Sequence, residues 1–349
     1  MLAVDFAAGV FAMPIANSFT KLFGIRHPIA LAAMDLVADA RLTLAVSEAG
    51  GFGFLGAGYG DAEWLDRELA ILAGSRGAGS TPFGIGFITW SLAKHPELLD
   101  SALAAKPKAI WLSFGDPEPF VQPIKDAYAL VVCQVQSVEM AVDAVSRGAD
   151  VVIAQGGEAG GHGISCGSLA LLPAIVDAIG NKVPVLLAGG VADGRGLSAA
   201  IMLGAQGVVM GTRFYASQEA AGSILAKQRI VRASGADTLR SIVFDVSRRN
   251  IWPIPYTGRC LVNDHTDRWY GRELELMRRG DALEAFARAR QAGDYDTAPV
   301  IAGEAAALIH DIPSAADIIH RMAAEAESLL LAAPQLARQP EPAAKAAAS

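Results

Sequence analysis

The sequence predicts a (β/α)8 TIM barrel of the α/β class, followed by a mainly helical C-terminal cap region. Eight short apolar runs recur along the chain, and each is apolar throughout rather than alternating, as in strands buried on both faces of a sheet. Helical patterns separate consecutive runs and no hairpin signal joins them, which calls for a parallel sheet. Eight such units close into a barrel.

The eight predicted strands follow one another in chain order. They are Pro28–Met34, Gly51–Ala57, Pro82–Ile88, Ala109–Gly115, Leu130–Val135, Val151–Gly156, Val183–Gly190 and Gly207–Phe214. The helical patterns between them are Asp39–Ala49, Ala62–Ala73, His95–Ala104, Glu118–Ala127, Val138–Arg147, Leu169–Ile179 and Gly194–Leu203. An open doubly wound sheet is the alternative architecture, but it would normally use fewer strands.

The barrel pattern is complete by about Phe214, and this sets the predicted domain boundaries. They are an N-terminal extension (1–20), the barrel core (21–215), a cap packed over the barrel mouth (216–332) and an Ala/Pro/Gln-rich disordered tail (333–349). Within the cap, Arg272–Ala292 and Ser314–Leu331 have amphipathic helical patterns, and Val243–Asp267 is predicted to be a loop containing proline and aromatic residues.

Composition limits the kind of partner this chain can bind. Of its 349 residues 52% are hydrophobic and 19% are charged, so an ordinary core can form and wholesale disorder is excluded. The net charge of -7, without a basic stripe, argues against binding to nucleic acid or an anionic membrane. No apolar run is long enough to cross a bilayer, and the first sixteen residues lack the early Lys or Arg of a secretory signal.

The cysteines favour a reducing cytoplasm. Cys133, Cys166 and Cys260 are far apart and odd in number, and no CxxC or Cys/His spacing is present. We therefore expect neither a disulfide framework nor a metal site. The apolar exterior of a barrel is compatible with a homodimer.

Two glycine-containing loops predict a phosphate site. Ala188–Gly194 closes the seventh strand and Met210–Arg213 closes the eighth. Glycines let the backbone approach a ligand, their amides can point at an anion, and barrels commonly place a phosphate at this position. The Thr212 hydroxyl would add a donor. The alternative is that these glycines only make tight turns.

A third loop, Gln155–Gly163, carries the candidate base. Five glycines flank His162 after the sixth strand. Histidine titrates near neutrality and can take a proton from a carbon acid at working pH. Glu158 could orient His162 or be a solvated carboxylate, and a histidine that only bonds a loop carbonyl remains the alternative to catalysis.

At these positions the chain resembles a known family. The runs QGGEAGGHG, LLAGGVADGRG and VVMGTRF together are similar to the nitronate monooxygenases, formerly called 2-nitropropane dioxygenases. The same superfamily holds FMN-dependent enoyl-ACP reductases and some NADH:quinone reductases. The resemblance extends from about Phe23 to about Leu330. The motifs are specific to the superfamily, but they distinguish much less well between its members.

The resemblance implies a barrel that binds FMN. It implies His162 as the catalytic base and Met34 as the residue beside the isoalloxazine. The residues that it assigns to the cofactor are Met34, Gln155, Gly160, Gly189, Gly190, Met210, Gly211 and Thr212.

Two positions depart from the family pattern. Strand three reads Pro82–Gly86, with Gly86 in place of an asparagine that touches FMN in the family. Strand one ends in Ala33, Met34 and Asp35 rather than in the commoner Pro-Met pair. A carboxylate at the rim would disfavour an anionic reduced flavin unless Asp35 faces away.

The leading functional hypothesis is oxidation of alkyl nitronates or nitroalkanes by O2 to a carbonyl compound and nitrite. Cap residues Trp252, Tyr256 and Trp269 are candidates to wall the substrate pocket, although each could equally belong to the cap core. A second hypothesis is an NAD(P)H-dependent reductase of quinones or enoyl thioesters with the same flavin. A third, a barrel without flavin that binds a sugar phosphate, lacks the paired carboxylate and lysine such isomerases often use.

Overall fold

The computed structural model describes residues 15–74 and 81–336. Its strands are β1 (Ile29–Leu31), β2 (Gly53–Gly56), β3 (Phe83–Ile88), β4 (Ala109–Ser113), β5 (Leu130–Val135), β6 (Val151–Gln155), β7 (Gly161–Gly163), β8 (Val185–Ala188), β9 (Gly207–Met210), β10 (Thr238–Ser241) and β11 (Thr257–Leu261). All eight predicted barrel strands are present. The additional strands are β7, β10 and β11.

Helices alternate with the barrel strands and then continue through the C-terminal third. They are α1 (Ser18–Phe23), α2 (Ala40–Glu48), α3 (Ala62–Gly74), α4 (Thr89–Leu92), α5 (Glu97–Ala104), α6 (Glu118–Asp126), α7 (Val138–Ser146), α8 (Ser168–Ile179), α9 (Gly194–Met202), α10 (Thr212–Tyr215), α11 (Ile224–Arg232), α12 (Val243–Ser247), α13 (Asp264–Trp269), α14 (Glu273–Leu276), α15 (Gly280–Ala292) and α16 (Ala315–Leu336). Two short 3-10 helices cover Gly235–Asp237 and Glu304–Leu308.

The parallel strands close into a barrel. Their order is β1-β9-β8-β6-β5-β4-β3-β2. Neighbouring strands of the barrel are therefore consecutive barrel strands in the sequence, except where β1 meets β9. The ring is completed between β1 and β2, where the Leu31 amide donates to the Phe52 carbonyl and the Phe52 amide donates to the Ile29 carbonyl, both at 2.9 Å. The predicted TIM barrel is confirmed.

The short helix α1 fills the N-terminal end of the barrel. Asn17 caps its start, Gly24 ends it with a φ of 70°, and the buried Phe19 and Phe23 pack onto the interior side chains of the strands. A second, larger apolar layer lies between the strands and the surrounding helices. With one end closed by aromatic rings, the opposite end, where the strands finish, is left for a site.

The predicted cap boundary is wrong for α16. This helix packs along α9 and α2, on the side of the barrel rather than over its mouth, and buries Ile319 and Met322 there. The chain directly after β9 supplies only the four-residue α10, so the barrel takes its eighth outer helix from the end of the chain. The apolar stripe of Ser314–Leu331 predicted a helix correctly but could not say which surface it covers.

The prediction of a loop over Val243–Asp267 is wrong, because this segment contains α12, β11 and the start of α13. The structure also has a small antiparallel sheet that the sequence analysis did not predict. The structure pairs β10 with β11 and β11 with β7, both antiparallel. These strands escaped the sequence patterns because β7 is a Gly-His-Gly segment and β10 is only half-buried along its length.

The predicted termini are only partly within the described residues. Residues 1–14 and 337–349 lie outside them, while residues 18–20 of the predicted loose extension belong to α1, and residues 333–336 of the predicted tail belong to α16. Within the described ranges, none of the helices has the length and apolar character needed to span a membrane.

Candidate active site

A cavity of about 490 Å³ lies where the barrel strands end, between the barrel and the C-terminal region. All residues predicted from the sequence for the cofactor and for catalysis line it. They are Met34, Gln155, Gly160, His162, Gly189, Gly190, Met210, Gly211 and Thr212.

One end of the cavity is built from backbone. Gly189 and Gly190 have φ values of 100° and 76°, a region that side chains rarely adopt, and a Cβ on Gly189 would lie 3.0 Å from the amide nitrogen of Ala159. Thr212 accepts a hydrogen bond of 2.9 Å from the amide of Gly303, which leaves its hydroxyl hydrogen free to donate. The backbone therefore comes close to the space in which a phosphate is predicted.

Glu158 does not orient the histidine. Its carboxylate accepts hydrogen bonds from the Ser168 amide at 2.9 Å and from the Ser168 hydroxyl at 2.8 Å, at the start of α8. A carboxylate at this position satisfies a free helical amide and interacts favourably with the helix dipole. Its role is to hold the glycine loop against α8.

The presence of Gly86 in strand three, where the family has an asparagine, has a steric cause. A Cβ on Gly86 would lie 2.3 Å from the Cβ of Ala33 on the neighbouring rim, so the family asparagine would not fit without a backbone shift. Trp111, which also lines the cavity, buries its indole nitrogen without a hydrogen-bond partner among the described residues. The floor of the cavity is therefore narrow and apolar, and the indole N–H of Trp111 is the donor that it can offer to a ligand. These properties suit a flat heteroaromatic ring.

The other end of the cavity holds a histidine–carboxylate pair. Nε2 of His162 lies 3.0 Å from both carboxylate oxygens of Asp245, which comes from α12, 83 residues away. Both side chains are buried, and Asp245 also accepts a 2.7 Å hydrogen bond from Arg248. Because Nε2 is engaged with Asp245, Nδ1 is the nitrogen available to a ligand, and it has no hydrogen bond within the described ranges.

The pair is set up as a neutral base. Burial lowers the pKa of His162 below its ordinary value, while the hydrogen bond and the charge of Asp245 oppose that shift. The imidazole is therefore uncharged at neutral pH, and a proton gained at Nδ1 would be stabilised by the adjacent carboxylate.

Aromatic side chains enclose the base. The indole of Trp252 stacks on the His162 ring with a centroid distance of 3.4 Å and an interplanar angle of 5°. The indole nitrogen of Trp252 donates a 3.0 Å hydrogen bond to the Tyr59 hydroxyl. Trp252 and Tyr59 both line the cavity, so they exclude water from the histidine and fix its ring plane.

The histidine loop is held from two sides. From the barrel, Gln155 donates to the His162 carbonyl at 2.9 Å, and the Gln155 oxygen accepts from Gln136 at 2.8 Å. From β10, Arg240 donates to the carbonyls of Gly157 at 3.0 Å and Ala159 at 3.1 Å. A loop with five glycines is flexible by itself, and these contacts restrict it.

Asp35 lines the cavity and does not face away. Its carboxyl is half-buried, and burial raises its pKa to about 6 although Arg248 and Arg290 oppose the shift. It belongs to the end of the cavity that contains Arg248 and Tyr59 rather than to the glycine-lined end.

The whole arrangement matches known proteins. The sequence model of the nitronate monooxygenase family matches residues 16–98 and 94–325. The chain belongs to the nitronate monooxygenase family. It is 33% identical over 337 residues to the nitronate monooxygenase npaC of Metarhizium robertsii, covering 87% of this chain and 92% of that protein.

Solved structures show the same architecture as this member of the nitronate monooxygenase family. FabK from Thermotoga maritima is 28% identical with a TM-score of 0.79, covering 91% of this chain and 98% of that one. The nitroalkane oxidase of Streptomyces ansochromogenes is 25% identical with a TM-score of 0.75, covering 91% of this chain and 100% of that one. The family resemblance predicted from the sequence is confirmed.

In this nitronate monooxygenase family member, the three aromatic residues considered for the pocket wall lie in three different environments. Trp252 lines the cavity as predicted. Tyr256 is not among the lining residues and packs on Phe114 and Trp252. Trp269 is buried in a small apolar cluster of the cap, which is the alternative that the sequence left open for it.

Two functional residues of this family member were missed in the sequence. Asp245 lies in the apolar segment Val243–Ser247, and Arg240 lies in a strand without apolar alternation. A carboxylate in an otherwise apolar five-residue stretch is a signal that could have indicated a buried partner for a cation or a histidine.

Proposed function

We propose that this protein catalyses the FMN-dependent oxidation of alkyl nitronates by O2 to a carbonyl compound and nitrite, and accepts nitroalkanes that His162 deprotonates. The observation that carries the proposal is the buried Asp245–His162 pair facing the same cavity as two glycine-lined strand ends. Membership of the nitronate monooxygenase family and the likeness to a nitroalkane oxidase support it.

The shape of the cavity supports a site for FMN. The phosphate of FMN would be held by the amides and hydroxyl of the glycine-lined end, at Gly189, Gly190, Gly211 and Thr212. The flavin ring would lie over the narrow floor at Gly86, beside Met34. Bound there, FMN would supply the electron-accepting and oxygen-reacting chemistry that no amino-acid side chain provides.

The side chains supply proton transfer. The α-carbon of a nitroalkane would lie against Nδ1 of His162, which accepts the proton as the C–H bond breaks. Asp245 keeps the Nε2 hydrogen in place and stabilises the imidazolium that forms, the role of the carboxylate in an Asp–His dyad. A nitronate, already deprotonated, needs only binding and exclusion of water.

The surroundings of His162 protect that step. Trp252 covers one face of the imidazole, and the antiparallel sheet holds its backbone. A dry, fixed site strengthens the electrostatic interactions of the base and keeps reactive intermediates from solvent. The partners we propose are a small nitronate or nitroalkane and O2, and the free Cys133, Cys166 and Cys260 suit a reducing cytoplasm.

The test is a visible spectrum of the purified protein, followed without oxygen after adding ethylnitronate and, separately, NADH. Flavin bands that bleach with ethylnitronate, with nitrite appearing once air is admitted, are the expected result. A protein that shows no flavin spectrum after reconstitution with FMN would contradict the proposal.

A second candidate is an NAD(P)H-dependent flavin reductase of quinones or enoyl thioesters. The observation that favours it is the likeness to FabK at a TM-score of 0.79. Rapid bleaching by NADH, with none by ethylnitronate, would replace the first proposal with this one.

A further inference from the structure

Asp35 is a cavity carboxyl to which the proposed proton transfer gives no task. It follows Met34 at the rim of β1 and shares the cavity with Tyr59, Arg248 and Trp252. Those residues surround His162, so Asp35 lies at the reacting end and not at the glycine-lined end.

The backbone fixes the position of this carboxyl. Leu36, the next residue, has a φ of 58°, and the Met34 carbonyl accepts from the Ala38 amide at 2.9 Å. On the other side, a Cβ on Gly58 would lie 1.9 Å from Oδ1 of Asp35, so only glycine allows the carboxyl to sit where it does. The chain therefore makes space for Asp35 in the cavity wall.

The described part of the chain offers this carboxyl no hydrogen-bond donor. Within the described ranges, Asp35 has no hydrogen bond and no ion pair, although it is half-buried. The guanidiniums of Arg248 and Arg290 act on it only at a distance, and Arg248 is already paired with Asp245 at 2.7 Å. A partly desolvated carboxyl without a donor is costly, and a donor on a bound ligand would relieve that cost.

We propose that Asp35 selects the substrate by accepting a hydrogen bond from a hydroxyl or amino group that the substrate carries beyond its reacting carbon. The preferred substrates are then the hydroxylated or amino-substituted nitroalkanes and nitronates, ahead of the plain alkyl ones. A second anionic group at that position would be repelled. This inference rests on the proposed function.

The test compares two neutral substrates of equal size, 2-nitroethanol and 1-nitropropane, which differ by a hydroxyl in place of a methyl. The quantity measured is the ratio of kcat/KM for 2-nitroethanol to kcat/KM for 1-nitropropane. The intrinsic acidity of each compound is the same for every protein, so it cancels when this ratio is compared between wild type and variant. Asp35→Leu should lower that ratio by about tenfold or more, since the hydroxyl loses a charged acceptor. Asp35→Asn keeps the size and one acceptor oxygen, so an intermediate ratio is expected.

Asp61→Asn is the matched control. Asp61 is exposed at the start of α3, where it accepts from the Trp64 amide at 2.9 Å, and it acts on Asp35 through space. Removing the charge of Asp61 tests whether a nearby negative charge is enough to select the substrate. The ratio of kcat/KM values for the two compounds should stay at the wild-type value. An equal fall in the Asp61→Asn and Asp35→Asn proteins would overturn the assignment to Asp35.

Binding is measured separately in a His162→Ala background, by the perturbation of the flavin visible spectrum on titration with the same two compounds. Tighter binding of 2-nitroethanol that disappears with Asp35→Leu supports the inference even if wild type oxidises neither compound. Failure to oxidise both compounds would overturn only the proposed deprotonation of nitroalkanes by His162. Turnover of both compounds, with a ratio unchanged in folded, FMN-loaded Asp35→Leu and Asp35→Asn proteins, would overturn the inference alone.

Discussion

The two ends of the cavity are built in different ways. At the glycine-lined end the backbone forms the wall, and each contributing segment is a short run directly after a barrel strand. At the histidine end side chains form the wall, and His162 and its partner Asp245 are 83 residues apart in sequence. The first end depends on local conformation, whereas the second depends on how the C-terminal region packs on the barrel.

This difference predicts separable losses. Changes at the histidine end should reduce turnover and leave cofactor affinity intact, and changes at the glycine-lined end should do the reverse. Each variant below tests that separation.

The largest effect is expected for His162→Ala. Loss of the base should lower kcat/KM for neutral nitroethane by about 10²–10⁴-fold, because a positioned general base contributes that much. FMN content and the flavin spectrum should match wild type. Unchanged turnover of neutral nitroethane would remove His162 from the mechanism.

A smaller loss, about hundredfold, is expected for Asp245→Asn with the same substrate. Asp245 opposes the effect of burial on His162, so its removal lowers the pKa of His162 further. The acidic limb of the kcat/KM pH profile should therefore move to lower pH. A loss of activity without any movement of that limb would mean that Asp245 only supports the fold.

At the other end, Gly190→Ala should weaken FMN binding by about tenfold, since a side chain at positive φ costs roughly 1–2 kcal/mol. A Cβ there meets nothing closer than 3.9 Å, so strain and not collision is tested. The dissociation constant comes from fluorescence titration of the apoprotein. The variant saturated with FMN should turn over nitroethane like wild type, and a fall in its kcat would break the separation of the two ends.

The sequence predicts the barrel and the glycine-lined end well because both are encoded locally. Continuous apolar runs specify buried parallel strands, and the glycines that follow β8 and β9 specify close backbone approach. The contacts of Asp245 and Arg240 with the histidine loop could not be predicted, because they depend on the antiparallel packing of β7, β10 and β11. The antiparallel pairing of these three strands leaves no periodic pattern in the sequence. The same holds for the position of α16 beside α9.

The smallest effect concerns stability. The pKa of Asp35 is raised from 3.8 to about 6 in the folded protein, so the fold binds this proton more tightly than the unfolded chain does. Stability is then lost as pH rises from about 4 to about 6, and the deficit persists above that range. Asp35→Asn removes the deficit and should stabilise the protein at pH 8 by about 1 kcal/mol, allowing for solvent reaching a half-buried group.

Urea unfolding of wild type and Asp35→Asn at pH 8 and at pH 4.5 measures this gain. The charged groups that act on Asp35 are Arg248, Arg290 and Asp61 from three separate elements, and the substitution leaves them in place. A gain equal at both pH values would show that Asp35 titrates normally.

His162 pairs with Gly258 across β7 and β11, so the backbone of the base belongs to a strand ladder that the C-terminal region supplies. Any displacement of β11 must either break this ladder or move His162 with it. In both cases the base would leave its place in the cavity wall. The position of His162 therefore depends on a strand that lies almost a hundred residues further along the chain, and not only on the barrel strand that precedes its loop.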